Sequence, residues 1–493
     1  MHLGGGFVAC FTPLNLAMLA VGIIVGLLIG VLPGLTLVMG VILALPFTYK
    51  MDITPAIVLL TAMYLSGTYG GAFTAILFKV PGEPIDVPML WDGYTMARNG
   101  APAKALGWTL VAALAGGLLS AIVMVLLTAP LAQLALKFDT PDKFAIILFG
   151  LCSVVALAQG ALAPALISLS FGLLIACVGT DETFGAARFT FGLPILADGI
   201  EFLVVMVGAF GVGEVLGRLD RGFKSAQIEQ VGGIGTELPT VAEIAGLKGV
   251  LLRSTVLGNI IGIVPGAGAT VASFISYGVE AQYGRQRARM GKGVAEGIVA
   301  PQAAATASVG GALVPLLSIG LPGSGATAVI LAAFMLKGVQ PGPQIFATQT
   351  AMVYTIFASV FLGLFLMALI GYFAVRPLVR ILDFPEAVVS AFIVIICTVG
   401  ALSIRNNVVD LWLMIAFGGL GYLLDRFRFP IAPLVLGCIL GPLAEESFMN
   451  AMISNNNDVT VFFTRPIAGT VMLLTVVTLV LGIIAARRVR ATS

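Results

Sequence analysis

The chain has 493 residues, of which 59% are hydrophobic and 10% charged, with a formal net charge of +2. Soluble domains carry about 25% charged residues, so a water-soluble fold is excluded, and with no large basic block the chain cannot track a nucleic-acid backbone. The single histidine is His2, which removes Ser-His-Asp catalysis and most zinc chemistry; no catalytic residue and no metal site is expected.

The first apolar run, residues 14–31, lacks a basic lead and a small-residue exit, so no cleavable signal peptide is expected. It and the runs 106–127, 352–375 and 470–486 approach or exceed the roughly 20 residues that cross a bilayer. These runs predict an all-α polytopic membrane protein of about ten to twelve spans. The alternating strands of a barrel are not evident. The five cysteines, Cys10, Cys152, Cys177, Cys397 and Cys438, form no CxxC pair and read as small apolar fillers. Abundant glycine and proline suit closely packed and broken membrane helices.

Landmarks recur in order. Gly30-Val31-Leu32-Pro33-Gly34 returns as Gly262-Ile263-Val264-Pro265-Gly266, and Gly70-Gly71 with Val80-Pro81-Gly82 returns as Gly310-Gly311 with Leu321-Pro322-Gly323. Further on, Asp139-Thr140-Pro141-Asp142 resembles Asp383-Phe384-Pro385-Glu386, and Phe171-Gly172 resembles Phe417-Gly418. The offset grows slowly, from 232 between Pro33 and Pro265 to 246 between Phe171 and Phe417, as a duplication with insertions would. The expected organisation is a first transmembrane repeat over 1–217, a polar cytoplasmic linker over 218–247 and a second repeat over 248–493.

Basic residues mark cytoplasmic loops. Arg218/Arg221/Lys224, Arg285/Arg287/Arg289/Lys292, Arg376/Arg380, Arg426/Arg428 and Arg487/Arg488/Arg490 form the rich set, with Arg98 and Lys104 a weaker one. Loops near Lys50, 137–143, 181–188, Arg405 and 450–458 are poorer. The rich loop at Arg285 matches the nearly neutral loop at Lys50, so the repeats are expected to have inverted topology, with 14–47 and 249–283 as re-entrant hairpins or paired short crossings.

Pro-Gly pairs inside apolar runs open new helices whose first amides are free and whose dipole favours an anion. Candidate substrate-binding positions are therefore Gly34, Pro81, Gly82, Pro265, Gly266, Gly268, Pro322, Gly323 and Ser324, joined by Lys79 as a cation and Thr306 as a hydroxyl. Lys79 could equally snorkel or pair with Glu83, and Glu296 is expected to pair with Lys292 one turn back. Ser66, Thr68 and Ser308 are candidates for a coupling ion, or plain helix-packing residues. Valine at a break glycine is expected to abolish uptake in a folded protein, with Gly371→Val as the control.

The longer stretches resemble one family. Tyr69-Gly-Gly-Ala-Phe-Thr-Ala-Ile-Leu-Phe-Lys79-Val-Pro-Gly-Glu83, continuing to Asp92-Gly-Tyr-Thr-Met-Ala-Arg98, and Gly262–Gly268 running through Ser276-Tyr277, Gly291, Glu296-Gly297 and Ala300-Pro301 to Gly320-Leu-Pro-Gly-Ser324, are similar to the large membrane subunit of the tripartite tricarboxylate transporters. The resemblance implies a bacterial inner-membrane permease. It would act with a periplasmic solute-binding protein and a small four-helix membrane subunit, driven by Na⁺ or H⁺ rather than ATP. The sequence departs from the family at Gln302 and at Ala305-Thr306, where Glu and Asn-Asn are common, and at Lys79, where Asn is common. Citrate specificity therefore does not carry over; the expectation is import of a di- or tricarboxylate. A stand-alone carrier for an organic anion is the alternative reading.

Overall fold

In hydrocarbon every backbone N–H must find its acceptor inside its own segment, which makes long apolar runs helical. The computed structural model describes residues 2–32, 35–156, 162–181, 185–222, 235–381 and 385–492, and the chain is an all-α polytopic membrane protein. Among the described residues nine helices are long and apolar enough to span a bilayer, and shorter apolar helices such as Leu37–Thr48 and Gly325–Leu336 stand beside them. A two-residue antiparallel pairing, Gly179–Thr180 with Ala187–Arg188, is the strand content of the described residues.

The chain forms two compact units, Met1–Gln133 with Lys224–Val389 and Leu134–Phe223 with Ser390–Ser493. Each unit therefore combines a stretch from before the linker with one from after it.

In the first unit the helices Ile53–Phe78 and Glu296–Ile319 are buried along almost their whole length. Pro13–Val31 packs on the former and Lys248–Ile263 on the latter. The two contacts match in detail. A Cβ on Gly30 would lie 2.7 Å from the Gly67 carbonyl oxygen, and one on Gly262 would lie 2.5 Å from that of Ser308. Gly70 meets the Leu27 carbonyl at 2.7 Å, as Gly311 meets that of Asn259. These contacts pair Gly70 with Gly311, one residue away from the sequence match of Gly70-Gly71 with Gly310-Gly311. Small residues are required because the backbones touch.

In the second unit Ile431–Ser454 packs on Leu162–Ala176 and Thr140–Ala156, Pro466–Thr492 on Thr140–Ala156, and Val408–Arg426 on the 202–221 helix. The repeat landmark Asp383-Phe384 lies outside the described residues.

Ion pairs join loops that the charge pattern groups together. Lys104 pairs with Glu243, and Arg221–Asp425 and Arg426–Asp220 close at 3.8 Å, all in or beside the basic-rich set. Arg188–Glu445 (2.5 Å), Arg405–Glu201 (3.1 Å) and Arg465–Asp139 (2.6 Å) lie in or beside the poor set. Such exposed pairs contribute little energy each; their value here is to show which loops share a face. The Lys104 ammonium and the Thr240 cap hold the Glu243 carboxyl down at about 2.

Candidate functional site

The breaks follow from proline. A residue before proline is pushed to extended backbone, and Val264 ends its helix at φ −74°, ψ 117°. The chain then turns through Gly266 (φ 82°) and Gly268 (φ 61°), conformations that suit glycine, and helix Gly268–Tyr283 begins. In the first half Leu32 ends its helix in the same way, at ψ 110°, and Thr36 caps the next helix by accepting from the Met39 amide at 3.2 Å. Pro33 and the candidate Gly34 lie outside the described residues.

The second break of each half is a matched pair. Ile53–Phe78 ends at Lys79 and Glu296–Ile319 at Gly320, both left-handed. The next amide reaches back six residues, from Val80 to the Thr74 carbonyl and from Leu321 to that of Pro315; this closure satisfies carbonyls that the helix end leaves open. Gly82 and Gly323 then press on backbone. A Cβ on Gly82 would lie 2.2 Å from the Gly30 carbonyl oxygen, and one on Gly323 would lie 2.6 Å from that of Gly262.

After these glycines the halves differ in chemistry. In the second, Ser324 and Thr327 cap each other: the Ser324 amide donates to Thr327 Oγ1 at 2.8 Å and the Thr327 amide to Ser324 Oγ at 3.3 Å. In the first, the same spacing holds Glu83 and Asp86, with the Glu83 amide donating to Asp86 Oδ2 at 3.0 Å. Glu83 also accepts the Leu37 amide, at the N-terminus of Leu37–Thr48. One pair is neutral hydroxyls and the other is two carboxylates.

The first unit brings these breaks together. Ser324 Oγ donates to the Tyr64 hydroxyl at 3.0 Å, and the Gly266 amide donates to the Gly323 carbonyl at 3.1 Å. A Cβ on Gly268 would touch that of Ser324, and one on Gly325 would reach the Val38 side chain. Helices Leu37–Thr48 and Gly325–Leu336 start side by side. They also end together, where Lys337 Nζ donates to the carbonyls of Tyr49 and, at 2.6 Å, Met51. Gln302 Nε2 donates to the Thr68 carbonyl (3.2 Å) and to Thr306 Oγ1 (3.0 Å), linking the two central helices, and its buried Oε1 has no partner.

Not every candidate joins this centre. Lys79 is exposed, with Nζ 5.5 Å from the centroid of the Tyr94 ring. It forms no ion pair with Glu83, one of the readings open to it, because Glu83 turns inward to a backbone amide; Glu296 forms none with Lys292, which corrects the expected pairing, and is buried at the start of its helix. Ser66, Thr68 and Ser308 donate to carbonyls of their own helices, Ala62 (2.9 Å), Leu65 (2.7 Å) and Ala305 (2.7 Å). The sequence reading missed Tyr64, Asp86, Thr327 and Asp92. Fully buried Asp92 accepts from the Tyr277 hydroxyl and from three amides of the basic loop. The carboxylate capping box at Glu83–Asp86 was the available signal.

Lys79 stands in a conformation that lysine tolerates poorly and asparagine tolerates well. Lys79→Asn is therefore expected to raise stability by about 0.5 kcal/mol and Lys79→Val to lower it. Thermal melts of the detergent-solubilised protein check this.

A family model, that of the tripartite tricarboxylate transporter TctA family, matches residues 16–436. The chain belongs to the TctA family. It is similar to an uncharacterized 52.8 kDa protein from the TAR-I ttuC' 3' region of Agrobacterium vitis, 34% identical over 96% of this chain and 93% of that protein. It is also similar to an uncharacterized protein from the TAR-II ttuC' 3' region of the same organism, 37% identical over 46% of this chain and 94% of that protein. No solved structure matches the chain. Membership of the TctA family, a transporter family, supports the role of a permease subunit, and the spanning helices fit a multi-pass membrane protein.

Proposed function

We propose that this TctA-family chain imports a di- or tricarboxylate across the bacterial inner membrane as the large subunit of a tripartite system. It works with a periplasmic solute-binding protein and a small four-helix membrane subunit, and an ion gradient drives it. The repeats lie in inverted orientation, so their breaks meet at one centre. One observation carries the assignment of the site. The first-half helix Leu37–Thr48 receives Glu83, the protein's own carboxylate, at its N-terminus. The matching second-half helix Gly268–Tyr283 starts beside Ser324, a neutral residue at the position that matches Glu83. Its amides and those of Gly325–Leu336 form the end at which a substrate carboxylate is held; Pro265, Gly266, Pro322 and Gly323 shape that end. Lys79, exposed beside Tyr94, supplies positive charge at the approach.

The test is to give the second half its own carboxylate. Ser324→Asp should abolish uptake of labelled citrate and succinate into proteoliposomes supplied with the binding protein. Ser324→Ala should raise the half-saturation concentration about tenfold, the loss of one contact of about 1.4 kcal/mol. Unchanged uptake in both variants, at equal membrane abundance, would move the site elsewhere.

A further inference from the structure

We propose that Glu83 and Asp86 form the coupling site and that its ligand is a proton, carried on Asp86. The inference rests on the transporter reading and adds to it the ion and the residues that bind it.

Asp86 is fully buried and Glu83 is 7% exposed. Glu83 takes the Leu37 amide, Asp86 Oδ2 takes the Glu83 amide, and Asp86 Oδ1 meets no donor at all. No Lys or Arg pairs with either carboxylate among the described residues. The titratable groups on the elements packed around the pair are engaged elsewhere or silent toward it. Lys79 lies over Tyr94, Tyr277 donates to Asp92, Glu280 binds Arg253 and Tyr64 meets Ser324; neither Tyr69 nor Glu296 bonds either carboxylate. Two adjacent buried carboxylates with no counter-charge cannot both ionise cheaply.

The surroundings choose the cation. The groups that point at Glu83 and Asp86 Oδ2 are amide N–H donors, and a helix N-terminus stands over Glu83. Such groups favour negative charge on Glu83 and repel a metal ion. A Na⁺ would need several oxygens, whereas the orphan Oδ1 needs one proton. The charge stays on Glu83 and the proton on Asp86. The turn Pro84–Asp86 is tied to helix Gly268–Tyr283 by Ser273, whose hydroxyl donates to the Ile85 carbonyl at 2.7 Å. A charge gained on Asp86 therefore lies beside the helix proposed to hold the substrate, and it repels an anion. Protonation favours loading and deprotonation favours release.

The experiment has two arms. Infrared titration of the full chain in lipid, without substrate, should show a protonated-carboxyl C=O band at neutral pH that Asp86→Asn removes. Uptake of labelled citrate and succinate into proteoliposomes should rise about tenfold in accumulation per unit of imposed pH gradient, as one proton dictates. Asp86→Asn should lose that dependence. A band unchanged by Asp86→Asn overturns the inference, and so does wild-type uptake that follows a Na⁺ gradient and ignores pH. The wild-type arm stands even if the variant does not insert. If the wild type transports neither probe, the carboxylate reading fails, while the infrared arm still decides whether Asp86 holds a proton.

Discussion

Gly82→Ala and Gly323→Ala should each leave almost no folded protein in the membrane. A methyl at Gly82 meets the Gly30 carbonyl oxygen at 2.2 Å and the Gly71 Cα at 2.6 Å. One at Gly323 meets the Gly262 carbonyl oxygen and the Ala312 Cα, both at 2.6 Å. All of these are backbone atoms of the central helices and of the helices packed on them, so no side chain can swing away. Overpacking of this kind costs about 3 kcal/mol, and more where backbone must move. Fluorescence-detected size exclusion of membrane extracts measures the loss. Gly278→Ala is the control, because a Cβ there meets nothing within 4 Å. Gly371, the control suggested by the sequence, is unsuitable: its Cβ would lie 2.6 Å from the buried Tyr69 ring. Folded, abundant Gly82→Ala protein would show that the break is looser than these contacts state. This expectation replaces the one drawn from sequence, in which the glycines served substrate approach alone and substitution left the fold intact.

The positions of the helix breaks were legible in the sequence because proline and glycine act locally. Pro265-Gly266 and Pro322-Gly323 dictate backbone geometry whatever surrounds them. The membrane class was legible because the apolar runs have no other use. What lay beyond reading is the set of contacts between distant segments. Nothing near Glu83 in the chain says that its carboxylate will cap a helix 46 residues earlier. Lys79 was attractive as a cation beside a break, yet the left-handed turn that ends its helix points it outward over Tyr94. Likewise 218–247 reads as a boundary by polarity, while the compact units gather pieces from both sides of it, since packing follows helix faces rather than chain order. The register of the repeat slipped by one residue at Gly310-Gly311 because adjacent glycines are indistinguishable without their partners.

Asp92→Ala should free the basic loop without touching the breaks. Asp92 is fully buried on the short helix Met89–Arg98. Its Oδ2 accepts from the Tyr277 hydroxyl (2.9 Å) and the Gly291 amide (2.9 Å), and its Oδ1 accepts from the amides of Gly293 (2.8 Å) and Val294 (2.9 Å). Gly291 (φ 80°) and Gly293 (φ 89°) allow the chain to curl around the carboxylate. One side chain thus fixes the turn that carries Arg285, Arg287, Arg289 and Lys292 into the helix Glu296–Ile319. Truncation strands the Val294 amide and the Tyr277 hydroxyl away from water and removes a charge-assisted cluster, a loss of roughly 3–5 kcal/mol. Asp92→Asn keeps the shape but presents an NH₂ to one of the amides, so its loss should be smaller. Trypsin should cut Asp92→Ala within 285–292 at least tenfold faster than wild type, since a few kcal/mol of lost closure populates the open loop accordingly. The cut should appear in membrane vesicles of one orientation only, which also assigns the face on which this loop lies. Equal cutting in wild type and Asp92→Ala would mean that the loop is held by something other than this carboxylate.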